Sequence, residues 1–208
     1  MKAHTKETQS AMTPQTALEA LKSGNDRFVK GSPVNRNLHE QIADTAGGQY
    51  PFATILHCID SRVSAELVFD QGIGDIFSIR IAGNFVNEDI LGSMEFASKL
   101  AGTRLILVLG HTSCGAVKGA CDHARMGNLT SLIKKLEPAV AAVQEPSDES
   151  ERTSANIDFV NEVAKTNVEM TMADIRNRSE ILAEMETNGE IAIVGGMYDI
   201  KDGSVTFY

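Results

Sequence analysis

Short runs of consecutive apolar residues alternate along the chain with amphipathic stretches of helical length. The clearest runs lie within Phe52–Cys58, Asp75–Ala82, Arg104–Gly110 and Glu190–Gly195. Strands that are apolar without alternation are buried on both faces, which is typical of a parallel sheet covered by helices. The pattern therefore predicts an α/β fold with a mainly parallel central sheet of four strands, flanked by helices.

A fifth strand is predicted at Ser204–Tyr208, because a turn at Asp202-Gly203 separates this stretch from the fourth strand by only a short connection. Such a connection favours an antiparallel edge strand. Helices are predicted around the strands, and the polar stretch Gln144–Ser154 is expected to be the most mobile loop. The expected helices are Thr13–Lys30, His39–Thr45, Ala65–Val68, Ile90–Leu100, one that starts near Cys114, Leu129–Val143 and Ile157–Met185.

The first long helix has a clear start signal. Thr13 is a suitable N-cap, Pro14 suits the first helical position, and Leu18, Leu21 and Phe28 recur at roughly helical spacing. We therefore expect one domain over residues 1–208, in which residues 1–48 form an N-terminal helical arm and residues 49–208 form the α/β core.

Composition narrows the choice of function. A chain of 208 residues can bury a substantial core without disulfides. The formal charge of −9, from 28 acidic and 19 basic residues, argues against a nucleic-acid partner. No run approaches the roughly 20 apolar residues of a membrane span, and the first twelve residues lack the apolar core of a signal peptide. A cytoplasmic protein is expected, with a periplasmic location left open if a presequence has been removed.

The cysteines point to a metal rather than to disulfides, because their number is odd. Cys58 ends the first strand, whereas His111 and Cys114 follow the third. Carboxyl ends of neighbouring parallel strands meet at one edge of a sheet, so two sulfurs and one imidazole are expected to converge. Zinc accepts such ligands, and a catalytic site keeps a fourth position for water. Cys121 is expected only to pack within a helix.

Two longer motifs surround these residues. Cys58–Arg62 reads Cys-Ile-Asp-Ser-Arg, and His111–Gly115 reads His-Thr-Ser-Cys-Gly. Together they resemble the signature of the β-carbonic anhydrases of the bacterial type. The likeness extends through Phe69–Phe77, Arg80–Asn84 and Ile193–Tyr198.

The resemblance implies a reaction and a cofactor. It implies a carbonate dehydratase, which is a lyase, that reversibly hydrates carbon dioxide to bicarbonate and a proton. The reaction would proceed through zinc-bound hydroxide, with one Zn²⁺ per subunit. Two thiolate ligands cancel the charge of the ion, so its water loses a proton less readily than on a three-histidine site, where the pKa is about 7. Activity is therefore expected to rise with pH from roughly 7 to 9.

The resemblance also assigns roles beside the metal. Cys58, His111 and Cys114 would bind zinc. Asp60 and Arg62 would form a charge-assisted pair, in which Arg62 holds the carboxylate so that it accepts a hydrogen bond from the zinc-bound water. In closed-form members the aspartate instead becomes a fourth ligand and blocks the chemistry.

The substrate pocket is assigned by the same resemblance. Gln49 matches the glutamine that donates to bound substrate in the open-form subgroup, and Phe77 and Ala82 fall on its apolar wall. Phe96 stands where that subgroup can place a tyrosine. The amide of Gly115 is expected to receive developing oxyanion charge. These matches favour the open form of the site.

The expected assembly is a homodimer or a dimer of dimers, in which N-terminal helices embrace a partner subunit. The Thr13–Lys30 helix is then expected to present an exposed apolar face, and the partner is expected to supply part of the pocket wall. Carbon dioxide and bicarbonate are the expected small-molecule partners. Neither nucleic acid nor a membrane is expected as a partner.

Three rival functions share parts of this pattern. A phosphate-binding Cys-x₅-Arg loop fails on spacing, because Ser64 occupies the position where that loop needs its arginine. A hydrolase of carbon disulfide or carbonyl sulfide uses a similar fold and zinc site, so only substrate tests separate it. A non-enzymatic zinc-stabilised binding protein would keep Asp60 permanently on the metal.

Overall fold

Five strands form the central sheet in the order β2-β1-β3-β4-β5 in the computed structural model, which describes residues 2–208. Strands β1 to β4 are parallel, and β5 pairs with β4 in the antiparallel direction. The predicted fold class is confirmed. The strands are Ala53–His57 (β1), Ile76–Arg80 (β2), Leu105–His111 (β3), Ala192–Tyr198 (β4) and Val205–Phe207 (β5).

Helices surround the sheet, and short π-helical and 3₁₀ turns occupy Phe96–Leu100 and Glu149–Glu151. Within residues 2–208, no helix combines the length and the apolar character needed to cross a membrane. The α-helices are Lys6–Ser10 (α1), Pro14–Val29 (α2), Leu38–Thr45 (α3), Ala65–Val68 (α4), Glu88–Glu95 (α5), Gly115–Cys121 (α6), Leu129–Ile133 (α7), Glu137–Ala142 (α8), Ile157–Arg178 (α9) and Glu180–Thr187 (α10).

The middle of the sheet carries the core. Every residue of β1 and β3 is buried, whereas β2, at the edge, is partly exposed along its length. Strands in the middle of a parallel sheet are covered by helices on both faces, which explains why their sequences are apolar without alternation. The core therefore fixes the two strands from whose carboxyl ends the candidate ligands project.

Two predicted helices are interrupted. The stretch Ile157–Met185 divides into α9 and α10 at Ser179, whose backbone is extended with φ −123° and ψ 99°. The Ser179 hydroxyl donates to Glu95 at 2.6 Å and accepts the amide of Leu182 at 3.3 Å, so this side chain ends one helix and caps the next. Similarly, Leu129–Val143 divides into α7 and α8, with a proline in the first turn of α8.

The apolar side of helix α2 packs against the core of its own chain. Thr13 caps it and Pro14 occupies its first turn, as predicted. However, Leu21 is fully buried in the core cluster that contains Phe69, and Phe28 packs against the same cluster. The expectation that this helix presents an exposed apolar face is therefore wrong, because that face covers the sheet.

Helix α9 lies unusually close to the sheet at two glycines. A Cβ atom at Gly110 of β3 would lie 2.7 Å from the side chain of Val168, and one at Gly195 of β4 would lie 3.0 Å from it. Only a residue without a side chain permits this approach. The close packing brings the polar side chains of α9 within reach of the loops that follow β2 and β3.

A buried charge cluster ties the N-terminal arm to the core. Asp70 follows α4 and adopts a positive φ of 45°. Its carboxylate accepts hydrogen bonds from Arg27 of α2, from Arg36 and, at 3.2 Å, from the amide of Val34. Burial alone would raise the pKa of Asp70, but the hydrogen bonds from Arg27, Val34 and Arg36 outweigh it and lower the pKa. The cluster therefore stabilises the folded arm at neutral pH.

Replacing the charge of Asp70 should loosen the arm. We expect Asp70→Asn to lower the free energy of unfolding by about 3 kcal/mol, because the buried Arg36 loses the carboxylate with which it is paired. Asparagine tolerates a positive φ, so the change tests charge rather than backbone strain. Urea unfolding at pH 7 measures the effect, with the exposed Asp26→Asn on α2 as the control. Equal stability of the two variants would contradict a stabilising role for the cluster.

Candidate metal centre

Adjacent strands place the three predicted ligands at one edge of the sheet. β1 pairs with β3 so that His57 lies opposite Leu109. Cys58 directly follows β1, His111 is the last residue of β3, and Cys114 is the N-cap of α6. The parallel register therefore delivers one ligand from the first strand and two from the strand beside it.

The geometry of these residues is compatible with zinc. The ligand atoms of Cys58, His111 and Cys114 all lie within 4.8 Å of one another, and all three residues are buried. The two sulfurs are 3.9 Å apart. Two sulfurs bound at about 2.3 Å to one tetrahedral zinc ion lie about 3.8 Å apart. The side chains thus already have the spacing that zinc requires.

The imidazole of His111 is oriented for a metal. Its Nδ1 lies 2.9 Å from the carbonyl oxygen of Thr112 and donates to it. This bond leaves Nε2 as the unprotonated nitrogen. Nε2 is buried and has no hydrogen-bond partner among residues 2–208. A buried acceptor without a partner is costly, and a bound metal ion would satisfy it.

The two thiols behave as a pair. The hydrogen bond between the two sulfurs lowers the pKa of Cys58 and raises the pKa of Cys114. A metal ion that binds both sulfurs as thiolates must displace any proton they carry. Cys121 packs in the same apolar cluster but is not a member of the ligand group, and burial raises the pKa of its thiol to about 11.

Asp60 lies beside the ligands and is held by Arg62. The guanidinium donates to both carboxylate oxygens, from Nε at 2.9 Å and from Nη2 at 2.7 Å, and the Arg62 amide donates at 3.0 Å. Asp60 Oδ2 is also 3.9 Å from His111 Nε2. The hydrogen bonds from Arg62 hold the pKa of Asp60 well below its usual range. The carboxylate is therefore paired with arginine, which is the pairing that the resemblance predicts for the open form.

Two further contacts hold Cys58 from the side of β2, and both were missed by the sequence analysis. Arg80 donates to the carbonyl oxygen of Cys58 at 3.3 Å and to that of Asp60 at 2.9 Å. The amide of Gly83 donates to the Cys58 sulfur at 3.4 Å. Both residues belong to the Arg80–Asn84 motif, but the motif alone does not indicate which atoms they contact.

The predicted pocket residues do not form one group within the chain. Ala82 precedes Gly83, and Gly115 follows Cys114, so these two lie next to the metal ligands along the chain. Phe77 and Phe96 lie together, with ring centroids 6.4 Å apart in an edge-on arrangement. They line a cleft of about 610 Å³. None of the three candidate ligands lines that cleft.

Gln49 does not reach the centre within its own chain. It is exposed and precedes the amino end of β1, whereas Cys58 follows the carboxyl end. The five residues of β1 alone separate the two positions by about 16 Å. Any role of Gln49 at a metal centre therefore requires a second copy of the chain.

Comparisons with known proteins agree with this geometry. A family model described as carbonic anhydrase matches residues 53–205. Carbonic anhydrase 2 of Mycobacterium tuberculosis is 37% identical over 196 residues, which cover 91% of this chain and 90% of that protein.

Solved structures share the fold. A β-carbonic anhydrase of Aspergillus fumigatus aligns with a TM-score of 0.71 and 22% identity, covering 93% of this chain and 89% of the other. Tetrameric β-carbonic anhydrases of Sordaria macrospora include one that aligns with a TM-score of 0.68 and 24% identity, covering 93% and 96%. From the family match, the close relative and the shared architecture, we conclude that the chain belongs to the carbonic anhydrase family and has the β-class fold.

Proposed function

We propose that the chain reversibly hydrates carbon dioxide to bicarbonate and a proton, as a cytoplasmic carbonate dehydratase with one zinc ion per subunit. The observation that carries this proposal is the convergence of Cys58, His111 and Cys114 beside a carboxylate that arginine holds. Zinc, when bound by these ligands, supplies the Lewis acid that activates water.

Asp60 and Arg62 prepare the site for water. Because Arg62 keeps the pKa of Asp60 low, the carboxylate is ionised at neutral pH and can only accept hydrogen bonds. Three donors from Arg62 fix its orientation before substrate arrives. A fixed acceptor orients the proton of the attacking water without having to reorganise during the reaction. Asp60 is therefore assigned to orienting the water, and Arg62 to holding the Asp60 carboxylate.

Apolar and amide groups next to the ligands suit the substrate. Carbon dioxide is apolar, and Ala82 is assigned to an apolar wall because it directly precedes Gly83, whose amide contacts the Cys58 sulfur. The amide of Gly115 is assigned to the developing oxyanion, because this residue directly follows a ligand and has no side chain to obstruct approach. These assignments rest on sequence proximity to the metal ligands.

The remaining pocket residues are assigned to a partner subunit. Gln49 cannot reach its own centre, and Phe96 exposes 53% of its surface. A homodimer, or a dimer of dimers, in which each subunit places Gln49, Phe77 and Phe96 at its partner's metal centre accounts for both facts. The neighbours from Sordaria macrospora are tetrameric, which supports an assembly of this kind.

The position of Asp60 and the substrate that is turned over distinguish the rival functions. A non-enzymatic zinc protein requires Asp60 on the metal, whereas this carboxylate is paired with Arg62. Assays of zinc-loaded protein with carbon dioxide, carbonyl sulfide and carbon disulfide test the proposal directly. We expect turnover of carbon dioxide; a zinc-loaded protein that hydrolyses only the sulfur compounds would contradict the proposal.

Removing the charge of Asp60 should separate metal binding from turnover. We expect Asp60→Asn to retain its zinc and to lose about a hundredfold in kcat, because an amide can turn its NH₂ group toward the water and present the wrong hydrogen-bonding partner. Metal content and stopped-flow carbon dioxide hydration are measured on the same sample. Full activity in this variant would show that the carboxylate has no part in orienting water.

Mixing two inactive variants should reveal whether Gln49 acts across the dimer. In a mixed dimer of Gln49→Ala and Cys114→Ser subunits, a site with intact ligands receives Gln49 from the other chain. We therefore expect each mixed dimer to regain one of its two sites. Because about half of the dimers in an equal mixture are mixed after subunit exchange, activity should rise toward about a quarter of the parent value.

The experiment distinguishes the two possibilities, because no activity returns if Gln49 acts on the centre of its own chain. If Gln49 served its own centre, every site in the mixed dimer would carry a lesion and mixing would restore nothing. Each variant mixed with itself is the control. Sedimentation of the parent as a monomer at micromolar concentration would also contradict the assignment.

A further inference from the structure

The turn that follows β2 has an unusual backbone. Gly83 and Asn84 are consecutive residues with positive φ, at 80° and 40°. Asparagine adopts this left-handed conformation more readily than most residues with a side chain, which suits position 84. Glycine is required at position 83 for a second reason, because a Cβ would lie 2.7 Å from Leu136.

This backbone conformation aims an amide at a metal ligand. The Gly83 N–H donates to the Cys58 sulfur at 3.4 Å. A hydrogen bond to a thiolate withdraws electron density from the sulfur, so that the sulfur donates less strongly to a bound metal. The conformation of Gly83 therefore bears on the electronic character of the centre as well as on its shape.

Helix α9 holds the turn in place. Asn167, only 4% exposed, donates from Nδ2 to the carbonyl oxygen of Gly83 at 2.8 Å. One turn further along the helix, Thr171 donates to the carbonyl oxygen of Asn84 at 3.4 Å. The two consecutive left-handed residues thus have their carbonyl groups bound by one helix face.

The same helix also holds the loop of the other two ligands. Asn161 accepts the amide of Ser113 at 2.8 Å. Ser113 lies between His111 and Cys114 and has a positive φ of 55°. Helix α9 therefore contacts two residues with positive φ: Gly83, whose amide binds the Cys58 sulfur, and Ser113, which lies between His111 and Cys114.

We propose that Asn167 is a positioning residue of the metal centre, which holds Gly83 so that its amide donates to the Cys58 sulfur and limits electron donation from that sulfur to the metal. The proposal rests on the proposed zinc-dependent function. Asn167 acts through Gly83 and does not touch the ligand atoms. Loss of such outer hydrogen bonds costs about 10- to 100-fold in metal affinity or activity in metal sites generally.

Substituting cobalt(II) for zinc reports on the electron donation from the sulfur, because the thiolate-to-cobalt charge-transfer band depends on it. In Asn167→Leu the donor is lost at similar volume, Gly83 is released, and the Cys58 sulfur becomes richer in electrons. The thiolate-to-cobalt charge-transfer band should therefore move to longer wavelength. In the zinc-loaded variant, kcat for carbon dioxide should fall about tenfold with KM little changed. Asn167→Ser, whose hydroxyl is too short to reach Gly83, should shift the band in the same direction.

Asn25 provides a matched control. It is also a buried asparagine, 5% exposed, and donates to the carbonyl oxygens of Val68 at 3.1 Å and Gly203 at 2.9 Å. Asn25→Leu should therefore destabilise the fold in the same general way as Asn167→Leu. Its cobalt spectrum should nevertheless match that of the parent, because none of its partners contacts a metal ligand.

The results distinguish this proposal from the proposed function. A band in Asn167→Leu and Asn167→Ser that coincides with the parent band would overturn the role of Asn167, even if the parent hydrates carbon dioxide. If the parent does not hydrate carbon dioxide but the band of the Asn167 variants is shifted from the parent band, the positioning role is supported and the proposed reaction is rejected. A parent without any thiolate-to-cobalt band would overturn both.

Discussion

The parallel pairing of β1 with β3 is the constraint on which the candidate site depends. Cys58 leaves the end of one strand and His111 ends the other, so the register of the sheet sets the separation of sulfur and imidazole. A one-residue shift in that register would turn every side chain of one strand to the opposite face. Full burial of both strands makes such a shift costly, and the core thereby protects the geometry of the ligands.

Much of this arrangement could be predicted because the signals are local. Unbroken apolar runs identified the buried strands, and the Thr13-Pro14 pair marked the start of α2. The ligands and the Asp60–Arg62 pair lie within two short motifs at strand ends, so the convergence of strand ends in a parallel sheet predicted the ligand set and the family resemblance predicted the pair. The break at Ser179 was not predicted, because it depends on Glu95, which is distant in sequence.

Other parts of the site depend on contacts that no local pattern contains. Asn161 and Asn167 lie on a long helix, where asparagine at a polar position is typical of a solvated face, and only tertiary structure shows what they bind. The family resemblance assigned a pocket role to Gln49 but could not show that this residue lies at the opposite end of β1 from the metal ligands. The apolar face of α2 was assigned to a partner because periodicity identifies an apolar face without identifying what covers it.

X-ray absorption at the zinc edge tests the central claim most directly, because it counts the ligand atoms bound to the ion. For the zinc-loaded protein at neutral pH, the account predicts two sulfurs at about 2.3 Å, one imidazole nitrogen at about 2.0 Å and one further light atom from water. A spectrum without two sulfur neighbours would contradict the account, since Cys58 and Cys114 would then not share the metal.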